Sequence, residues 1–181
     1  MFTTTKKQYT YEDYQKLPEG SPYQLIAGEL VMTPSPTPYH QLVSWRLEMQ
    51  LSEFVVQRKL GVVLDAPLDV YLSATETYQP DILFIAEDRL QIMGEQKIEG
   101  PPDLVVEILS PSTAYYDLKH KKAQYESSGV KEYWIVDPVE KSVEIYENEN
   151  GRFALFSSAV KEGEVSSKLL DGFRVLLSTL F

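Results

Sequence analysis

The sequence predicts a single domain that mixes α-helices and β-strands, and three observations support this expectation. The chain has 181 residues, close to the length of one compact domain. Hydrophobic residues make up 43% of it and charged residues 24%, proportions typical of globular proteins. Apolar residues recur at helical spacing in one long segment and in strand-like runs elsewhere. We therefore expect one domain, residues 1–181, around one hydrophobic core.

A short helix and two strands are predicted at the start of the chain. Thr10 followed by Asp13 is typical of a helix N-terminus, and Pro18 should end this helix, which covers residues 11–17. Residues 23–33 hold two apolar stretches on either side of a glycine-containing segment. This pattern predicts two short strands around a turn or a bulge.

A long amphipathic helix follows over residues 40–60, where apolar residues recur every three to five positions, and Gly61 suits its C-terminal cap. Residues 103–109 (DLVVEIL) form a nearly continuous apolar run with one acid inside it, as expected for a central strand buried on both faces. A second helix is predicted over residues 114–128, with candidate caps at residues 110–113. Further strands are predicted at residues 62–64, 68–72, 82–86, 131–137, 142–146, 153–157, 168–170 and 173–177.

Several classes of protein are disfavoured by what the sequence lacks. Without Cys there can be no disulfide, thiolate metal site or Cys nucleophile, and no glycine-rich nucleotide loop, HExxH or GxSxG motif is present. No apolar run approaches the roughly 18 residues of a membrane span, and no secretory signal is visible, so we expect a cytoplasmic protein without membrane contact. The formal charge of −10 opposes binding to nucleic acid unless a local basic patch or a bound cation compensates.

Two acids lie among apolar strand residues. Asp81 precedes the run ILFIA, and Glu107 interrupts the run DLVVEIL. Burying an ionised carboxylate costs several kcal/mol unless a counter-charge or a metal compensates, and Mg²⁺ takes one or two protein carboxylates together with water. These acids therefore suggest a metal site. The alternative is structural: Asp81 caps a strand end, and Glu107 pairs with a nearby Lys.

The second predicted helix carries a candidate basic group. Asp117, Lys121 and Tyr125 are spaced by four and share one face, in the most basic segment of an acidic chain. A Lys near the end of the Glu107 strand could stabilise charge developing on a phosphate. The alternative is a solvated face with an Asp117–Lys121 ion pair. The sequence leaves open which of Lys119, Lys121 and Lys122 points inward.

The order of these residues resembles the PD-(D/E)xK restriction-endonuclease-like superfamily and, within it, the Uma-two family of predicted nucleases. The resemblance runs from about residue 11 to residue 181 and is most specific over residues 102–138. The segments that carry it are LIAGE (25–29), PDI (80–82), PDLVVEILSPST (102–113), Asp117 through Lys121 to Tyr125, and GVKEYWIVDP (129–138).

This resemblance implies an α/β, restriction-endonuclease-like fold with a central mixed β-sheet flanked by α-helices. It also implies that Asp81 and Glu107 bind Mg²⁺ or Mn²⁺, that the backbone carbonyl of Ile108 adds an oxygen ligand, and that Glu29 is an additional acid. Each of these roles is an expectation carried over from the family pattern.

The sequence departs from the superfamily at one position. Leu109 stands where a Lys is expected, two residues after Glu107, so the lysine's role would move to the helix, to Lys121, next to Tyr125 on the same face. His40 matches a position where the family often has His and could face the same cleft. Its alternative role is a cap or a loop hydrogen bond.

The leading hypothesis is a metal-dependent endonuclease that hydrolyses DNA phosphodiester bonds by metal-activated water, with Glu29, Asp81, Glu107 and Lys121 as the catalytic residues. A catalytically degenerate module that binds a protein or a nucleic acid is the second hypothesis, which the missing Lys and the pI near 4.7 favour. A third takes Glu29 and Glu107 as the acid and base of a glycoside hydrolase. A homodimer is expected because nucleases of this superfamily often act in pairs.

Overall fold

The computed structural model describes residues 7–18, 20–110 and 114–181. Its helices are α1 (Tyr11–Tyr14), α2 (Pro38–Arg58) and α3 (Lys122–Ser128), with a π-helical segment (Tyr116–Lys121) leading into α3 and 3₁₀ turns at Glu87–Ile92 and Leu177–Thr179. Its strands are β1 (Tyr23–Ile26), β2 (Glu29–Met32), β3 (Gly61–Asp65), β4 (Val70–Ser73), β5 (Glu76–Tyr78), β6 (Ile82–Ala86), β7 (Ile98–Glu99), β8 (Leu104–Ile108), β9 (Glu132–Asp137), β10 (Ser142–Glu149), β11 (Arg152–Val160), β12 (Glu164–Ser166) and β13 (Arg174–Leu176).

The strands of the described residues form two main sheets and one small sheet. The six-stranded sheet has the order β11-β10-β9-β8-β6-β3, the five-stranded sheet has the order β2-β1-β5-β4-β7, and β12 pairs with β13. In the larger sheet β8 and β9 run parallel, whereas β6 and β8 run antiparallel. This confirms the predicted α/β fold with a mixed sheet flanked by helices.

Strand β8 lies inside the larger sheet, and all five of its residues are buried, as predicted. Because side chains alternate along a strand, Leu104, Val106 and Ile108 pack on one face, and Val105 and Glu107 point to the other. The first face contacts α2 through Val43, Leu47, Leu51 and Val55. The second face is covered by α3 and by the smaller sheet, through a cluster that includes Ile26, Tyr78 and Tyr125. Glu107 therefore points into the layer between sheet and α3.

Helix α2 begins and ends two residues earlier than the sequence predicts. The Thr37 side chain accepts a hydrogen bond from the His40 backbone N–H (3.2 Å), which caps the N-terminus and places His40 in the first turn. The predicted C-cap at Gly61 is wrong, because Lys59 takes the left-handed conformation (φ 54°) and Gly61 begins β3. In the ranges that the structure describes, no helix is long and apolar enough to cross a membrane.

The second predicted helix is α-helical only in its C-terminal half. Residues 116–121 are π-helical, and Gly129, with a positive φ of 91°, caps α3, which ends at residue 128, the predicted bound. Of the predicted caps, residues 111–113 lie outside the described residues. The first helix is also shorter than predicted, with four residues instead of seven, although the Thr10 backbone N–H does donate to Asp13 Oδ2 (3.2 Å).

The predicted strands agree with the structure best where the apolar run is continuous. Strand β6 has the predicted bounds, and β1 and β2 form the predicted hairpin around Ala27 and Gly28. The strand predicted at residues 168–170 is wrong. The backbone N–H groups of Lys168 and Leu169 instead donate to the buried Glu132 carboxylate (2.7 and 2.9 Å). The carboxylate thus provides the hydrogen-bond acceptors that a neighbouring strand would otherwise provide for these N–H groups.

Candidate active site

The candidate site begins where β6 and β8 lie side by side. Asp81 immediately precedes β6, and the antiparallel register, which pairs Ile82 with Val106, brings Asp81 to the end of β8. There Asp81 Oδ2 accepts a hydrogen bond from the backbone N–H of Ile108 (2.7 Å). Two residues that are 27 positions apart in sequence are thus joined by the pairing of two buried strands.

His40 reaches the same point from the first turn of α2. Its Nε2 lies 2.9 Å from the Ile108 carbonyl oxygen and 3.5 Å from Asp81 Oδ1. Because a carbonyl can only accept, Nε2 carries the proton in this contact. Among the described residues His40 Nδ1 is buried without a hydrogen-bond partner. His40, Asp81 and the Ile108 carbonyl therefore form one polar group at the end of β8.

Lys121 supplies the positive charge of the site. Its Nζ lies 3.1 Å from Oε1 and 3.0 Å from Oε2 of Glu107, and the Tyr125 hydroxyl donates to Glu107 Oε1 (2.8 Å). The Lys121 side chain is 3% exposed, whereas Lys119 is exposed and Lys122 is partly exposed. Of the three lysines that the sequence left open, Lys121 is the one that points inward.

Asp117 completes this group and was not among the predicted site residues. Its Oδ1 lies 2.9 Å from Lys121 Nζ, so the ion pair anticipated from the sequence does form, but it is buried and not on a solvated face. The Tyr133 hydroxyl donates to the Asp117 backbone carbonyl (2.9 Å) and so anchors the π-helical segment to β9. A π-helical turn inside a helix is often found at a functional site.

Acidic side chains outnumber the one ammonium in this buried group, so the group favours a further proton or cation. Burial raises the pKa of Glu107 to about 8; the Lys121 ammonium opposes this shift, and the carboxylates of Asp117 and Asp81 add to it. Burial alone would lower the pKa of Lys121, but the Glu107 and Asp117 carboxylates outweigh it and raise that pKa above its usual value. Burial also raises the pKa of Asp81, against the attraction of His40. The site therefore attracts further positive charge.

Glu29 comes from the smaller sheet. It is the first residue of β2 and pairs across the hairpin with Ile26. Cross-strand partners point to the same face, and Ile26 packs in the cluster that contains Tyr78 and Tyr125. The register thus turns Glu29 toward the layer where Tyr125 contacts Glu107. Its role as an additional acid stays a prediction.

The site has a solvent-facing rim and a closed interior. At the rim, the side chains of Asp81 and His40 are 20% and 11% exposed. In the interior, the side chains of Glu107, Lys121 and Asp117 are 4% exposed or less. A ligand from solvent meets the Asp81 rim first.

The donor set at this point suits a hard divalent cation. Asp81, Glu107 and the Ile108 carbonyl offer only oxygen atoms, next to an excess of buried negative charge. No group of three or more His, Asp or Glu side chains positioned to hold a metal ion occurs in residues 7–18, 20–110 and 114–181. Mg²⁺ does not require such a group, since it usually keeps several waters and takes only one or two carboxylates. The residues present therefore fit Mg²⁺ or Mn²⁺.

Tyr133 also contributes to the site, although it was not among the predicted site residues. The parallel register pairs Val105 with Tyr133, which puts Tyr133 on the same face of the sheet as Glu107. That relation depends on which strands are neighbours. The sequence holds one signal for this pairing of strands. The acid-containing run DLVVEIL is followed by one helix and then by the apolar run KEYWIVD, and this order is typical of a parallel strand-helix-strand unit.

The fold is that of an α/β protein with a mixed β-sheet flanked by α-helices. The family model of Uma2, described as "Putative restriction endonuclease", matches residues 11–178, and the chain belongs to this family. The resemblance seen in the sequence is thereby confirmed.

Two relatives extend this comparison. The crystal structure of "a putative nuclease belonging to DUF820" from Anabaena variabilis ATCC 29413 has a TM-score of 0.79 and 20% identity, and the match covers 95% of this chain and 97% of that one. The uncharacterized protein sll1609 of Synechocystis sp. (strain ATCC 27184 / PCC 6803 / Kazusa) is 24% identical over 166 residues, which are 90% of this chain and 93% of that protein.

Proposed function

We propose that this chain is a nuclease that hydrolyses DNA phosphodiester bonds with Mg²⁺ or Mn²⁺. The observation that carries the proposal is the position of Lys121, whose Nζ lies 3.0 and 3.1 Å from the two carboxylate oxygens of Glu107. The lysine expected at position 109 is absent, and Lys121 brings an ammonium group to the strand acid from the following helix. An acid on a strand, a second acid beside it and a fixed ammonium are the groups that such hydrolysis uses.

Asp81, Glu107 and the Ile108 carbonyl would hold the cation. Bound there, the cation would supply Lewis-acid stabilisation of charge on the phosphate and increase the acidity of water. The site's excess of buried carboxylate supports this assignment, because a divalent cation would offset charge that Lys121 alone does not balance.

The chain's own residues have separate tasks in this proposal. Lys121, held between Asp117 and Glu107, presents an ammonium of fixed position to the negative charge that develops on the phosphate. The Tyr125 hydroxyl fixes the orientation of the Glu107 carboxylate. His40 holds the Ile108 carbonyl, and Glu29 adds an acid from the smaller sheet.

DNA is the proposed substrate because the description of the family reads "Putative restriction endonuclease". The net charge of −10 opposes long-range attraction to DNA, so we expect weak binding that depends on the divalent cation. A DNA substrate also agrees with the cytoplasmic location expected from the sequence.

The test is cleavage of single- and double-stranded DNA at low salt, with Mg²⁺, Mn²⁺ or EDTA. We expect wild type to cut only with a divalent cation, and Glu107→Gln and Asp81→Asn to lose at least 100-fold in rate (about 3 kcal/mol). Glu140→Gln makes the same chemical change on an exposed turn and should cut like wild type. Cleavage that persists in EDTA would contradict the metal dependence, and cleavage by both site variants would show that the site is elsewhere.

A catalytically inactive binding module is the second candidate, and the closed interior of the site favours it. Glu107 and Lys121 are almost completely buried, so a phosphate has no direct access to them in this conformation. Calorimetric titration with Mn²⁺ and with a DNA duplex separates the two candidates. Binding of Mn²⁺ and DNA by wild type, with no cleavage under any condition, would support the binding module.

A further inference from the structure

We propose that two copies of this chain associate through the exposed face of α2, with the two helices antiparallel about a twofold axis near Met49. This inference does not rest on the proposed nuclease function. It begins from large apolar side chains that α2 leaves exposed. Besides Tyr39 (40%) in the first turn, these are Leu42 (38%), Trp45 (55%), Met49 (51%) and Val56 (71%), and we call the last four the α2 stripe.

The α2 stripe is distinct from the face of α2 that packs in the core. At about 100° per residue, its four members lie within roughly 60° of one another around the helix. The buried positions Val43, Leu47, Leu51 and Val55 belong to the core cluster with β8. Helix α2 therefore has a second apolar face, and isolated exposed apolar residues would not line up in this way.

The spacing of the α2 stripe makes it complementary to itself. Leu42 and Val56 each lie seven residues from Met49, so a twofold axis at Met49 places Leu42 of one copy against Val56 of the other. The same operation places Trp45 opposite Glu53, one residue away from Ser52, which is small and only partly exposed. Apolar side chains of the two copies thus meet at the axis and at both ends of the contact.

The charges beside the stripe favour the same arrangement. Arg46 and Glu53 lie on one flank of it, also seven residues apart. In an antiparallel helix pair, each flank meets the same flank of the other helix. The axis at Met49 places Arg46 opposite Ser52, with Glu53 of the second copy one residue further along the same flank, about 1.5 Å along the helix. Arg46 Nη1 donates to the Leu180 carbonyl of its own chain (2.9 Å), and the guanidinium nitrogens outside that bond can face Glu53 of the second copy, once on each side of the axis.

The contact is small, and both candidate active sites stay open. Residues 42 to 56 span about 21 Å of helix, so the interface falls below the roughly 1,200 Å² of a stable complex and the dimer should depend on concentration. His40 lies nine residues from the axis, which puts the two His40 residues about 27 Å apart along the helices, at opposite ends of the contact.

Sedimentation velocity over a range of concentrations tests the association. Wild type should shift from monomer to dimer as concentration rises, and Met49→Asp, which brings two carboxylates together at the axis, should remain monomeric. Val139→Asp adds the same charge at a 77% exposed apolar residue outside α2 and should dimerise like wild type. A wild type that is monomeric throughout, or a Met49→Asp variant that still dimerises, would overturn the proposal.

Single cysteines test the antiparallel arrangement, because the chain contains no other Cys. Under oxidation, Met49→Cys should cross-link to itself. Leu42→Cys and Val56→Cys should cross-link when mixed and not when alone. Efficient self-cross-linking of Leu42→Cys would indicate parallel helices, and cross-linking of Leu155→Cys in place of Met49→Cys would indicate pairing through the edge strand β11. Either result would overturn the proposal.

Discussion

Lys121 is the residue on which the buried charges of the site depend. Its ammonium contacts the carboxylates of Glu107 and Asp117, and all three side chains are almost completely buried. A buried ion pair adds little net stability as a whole, because its charges first have to leave water. Removing one partner is costly, because the remaining charge is then buried without compensation.

We predict that Lys121→Met lowers the free energy of unfolding by about 3–5 kcal/mol, since it leaves two carboxylates without their counter-charge. Urea denaturation monitored by circular dichroism measures this change. Lys119→Met, two residues away on the exposed side of the same segment, should change the free energy of unfolding by less than about 0.5 kcal/mol. Equal midpoints for the two variants would contradict the role given to Lys121.

For single residues, the sequence predicts which side chains share a helix face. It does not predict whether that face is buried. The four-residue spacing predicts that Asp117, Lys121 and Tyr125 lie together, and they do. The same pattern is compatible with a solvated face, because nothing local to the helix indicates which neighbour covers it. The neighbour is Glu107 on β8, and its contact with Lys121 is set by tertiary packing.

At the scale of single elements, the C-terminus of α2 carries an unfavourable backbone conformation. Lys59 adopts a left-handed φ of 54°, which a residue with a Cβ takes at some cost. Gly61, two residues later, has a φ of 147°, and a Cβ there would collide with the Ile85 carbonyl oxygen. Gly61 is thus needed for the close approach of β3 to β6, and it is not free to serve as the cap.

We predict that Lys59→Gly raises the free energy of unfolding by about 0.5–1 kcal/mol, because glycine adopts the left-handed conformation without strain. Thermal unfolding followed by circular dichroism should show a higher midpoint. Arg58→Gly, one position earlier and still inside the helix, should lower the stability by up to about 1 kcal/mol. A loss of stability in both variants would argue against strain at Lys59.

Elements with strong local patterns could be predicted from the sequence. Strands β6 and β8 are continuous apolar runs, and α2 repeats its apolar residues over five turns. Strand β12 has one buried apolar residue, Val165, between two polar ones, so its run is too short to detect. The π-helical segment preserves a helical spacing of side chains and cannot be told from an α-helix by that spacing.

For the molecule as a whole, Asp103 connects several parts of the larger sheet. It lies just before β8 and is completely buried. Its carboxylate contacts Arg89 and Lys131 (2.8 Å each) and accepts from the backbone N–H of Ala86 (2.9 Å). These partners belong to the end of β6, the following 3₁₀ turn and the residue before β9.

We predict that Asp103→Asn lowers the free energy of unfolding by about 3 kcal/mol at pH 7. Burial acts to raise the pKa of Asp103, but the hydrogen bond from Ala86 and the two cations outweigh it and hold this pKa below its usual value. The carboxylate's contribution is therefore complete above the unfolded-state pKa of about 3.9 and is lost as pH falls through the lower folded-state pKa.

Urea titrations at several pH values measure this dependence. The difference between wild type and Asp103→Asn should be largest near neutrality and should shrink below about pH 4. Asp88→Asn, on the exposed side of the neighbouring turn, is the matched control and should match wild type at neutral pH. A difference that stays constant down to pH 2 would mean that Asn disturbs packing and that the charge is not responsible.

The arrangement of the strands could be expected only through the family resemblance. Local patterns give strands and helices but not their neighbours, and the parallel contact of β8 with β9 joins residues separated by a helix. The division into two main sheets has no local signal, because β1 and β5 pair across 52 residues, at Leu25 and Thr77. The sequence identifies Asp81 and Glu107 as unusual acids. It does not show that they lie in the same part of the larger sheet, because that depends on long-range strand pairing.

The contacts of α2 also bear on how the protein folds while it is being made. The core beneath α2 is closed by residues from the other end of the sequence, including Val175 and Leu177, and Arg46 Nη1 donates to the Leu180 carbonyl (2.9 Å). A ribosome releases the N-terminal part of a chain first. The inner apolar face of α2 therefore stays partly uncovered until residues 175–180 have emerged, and during that interval it is open to contacts with other unfolded chains.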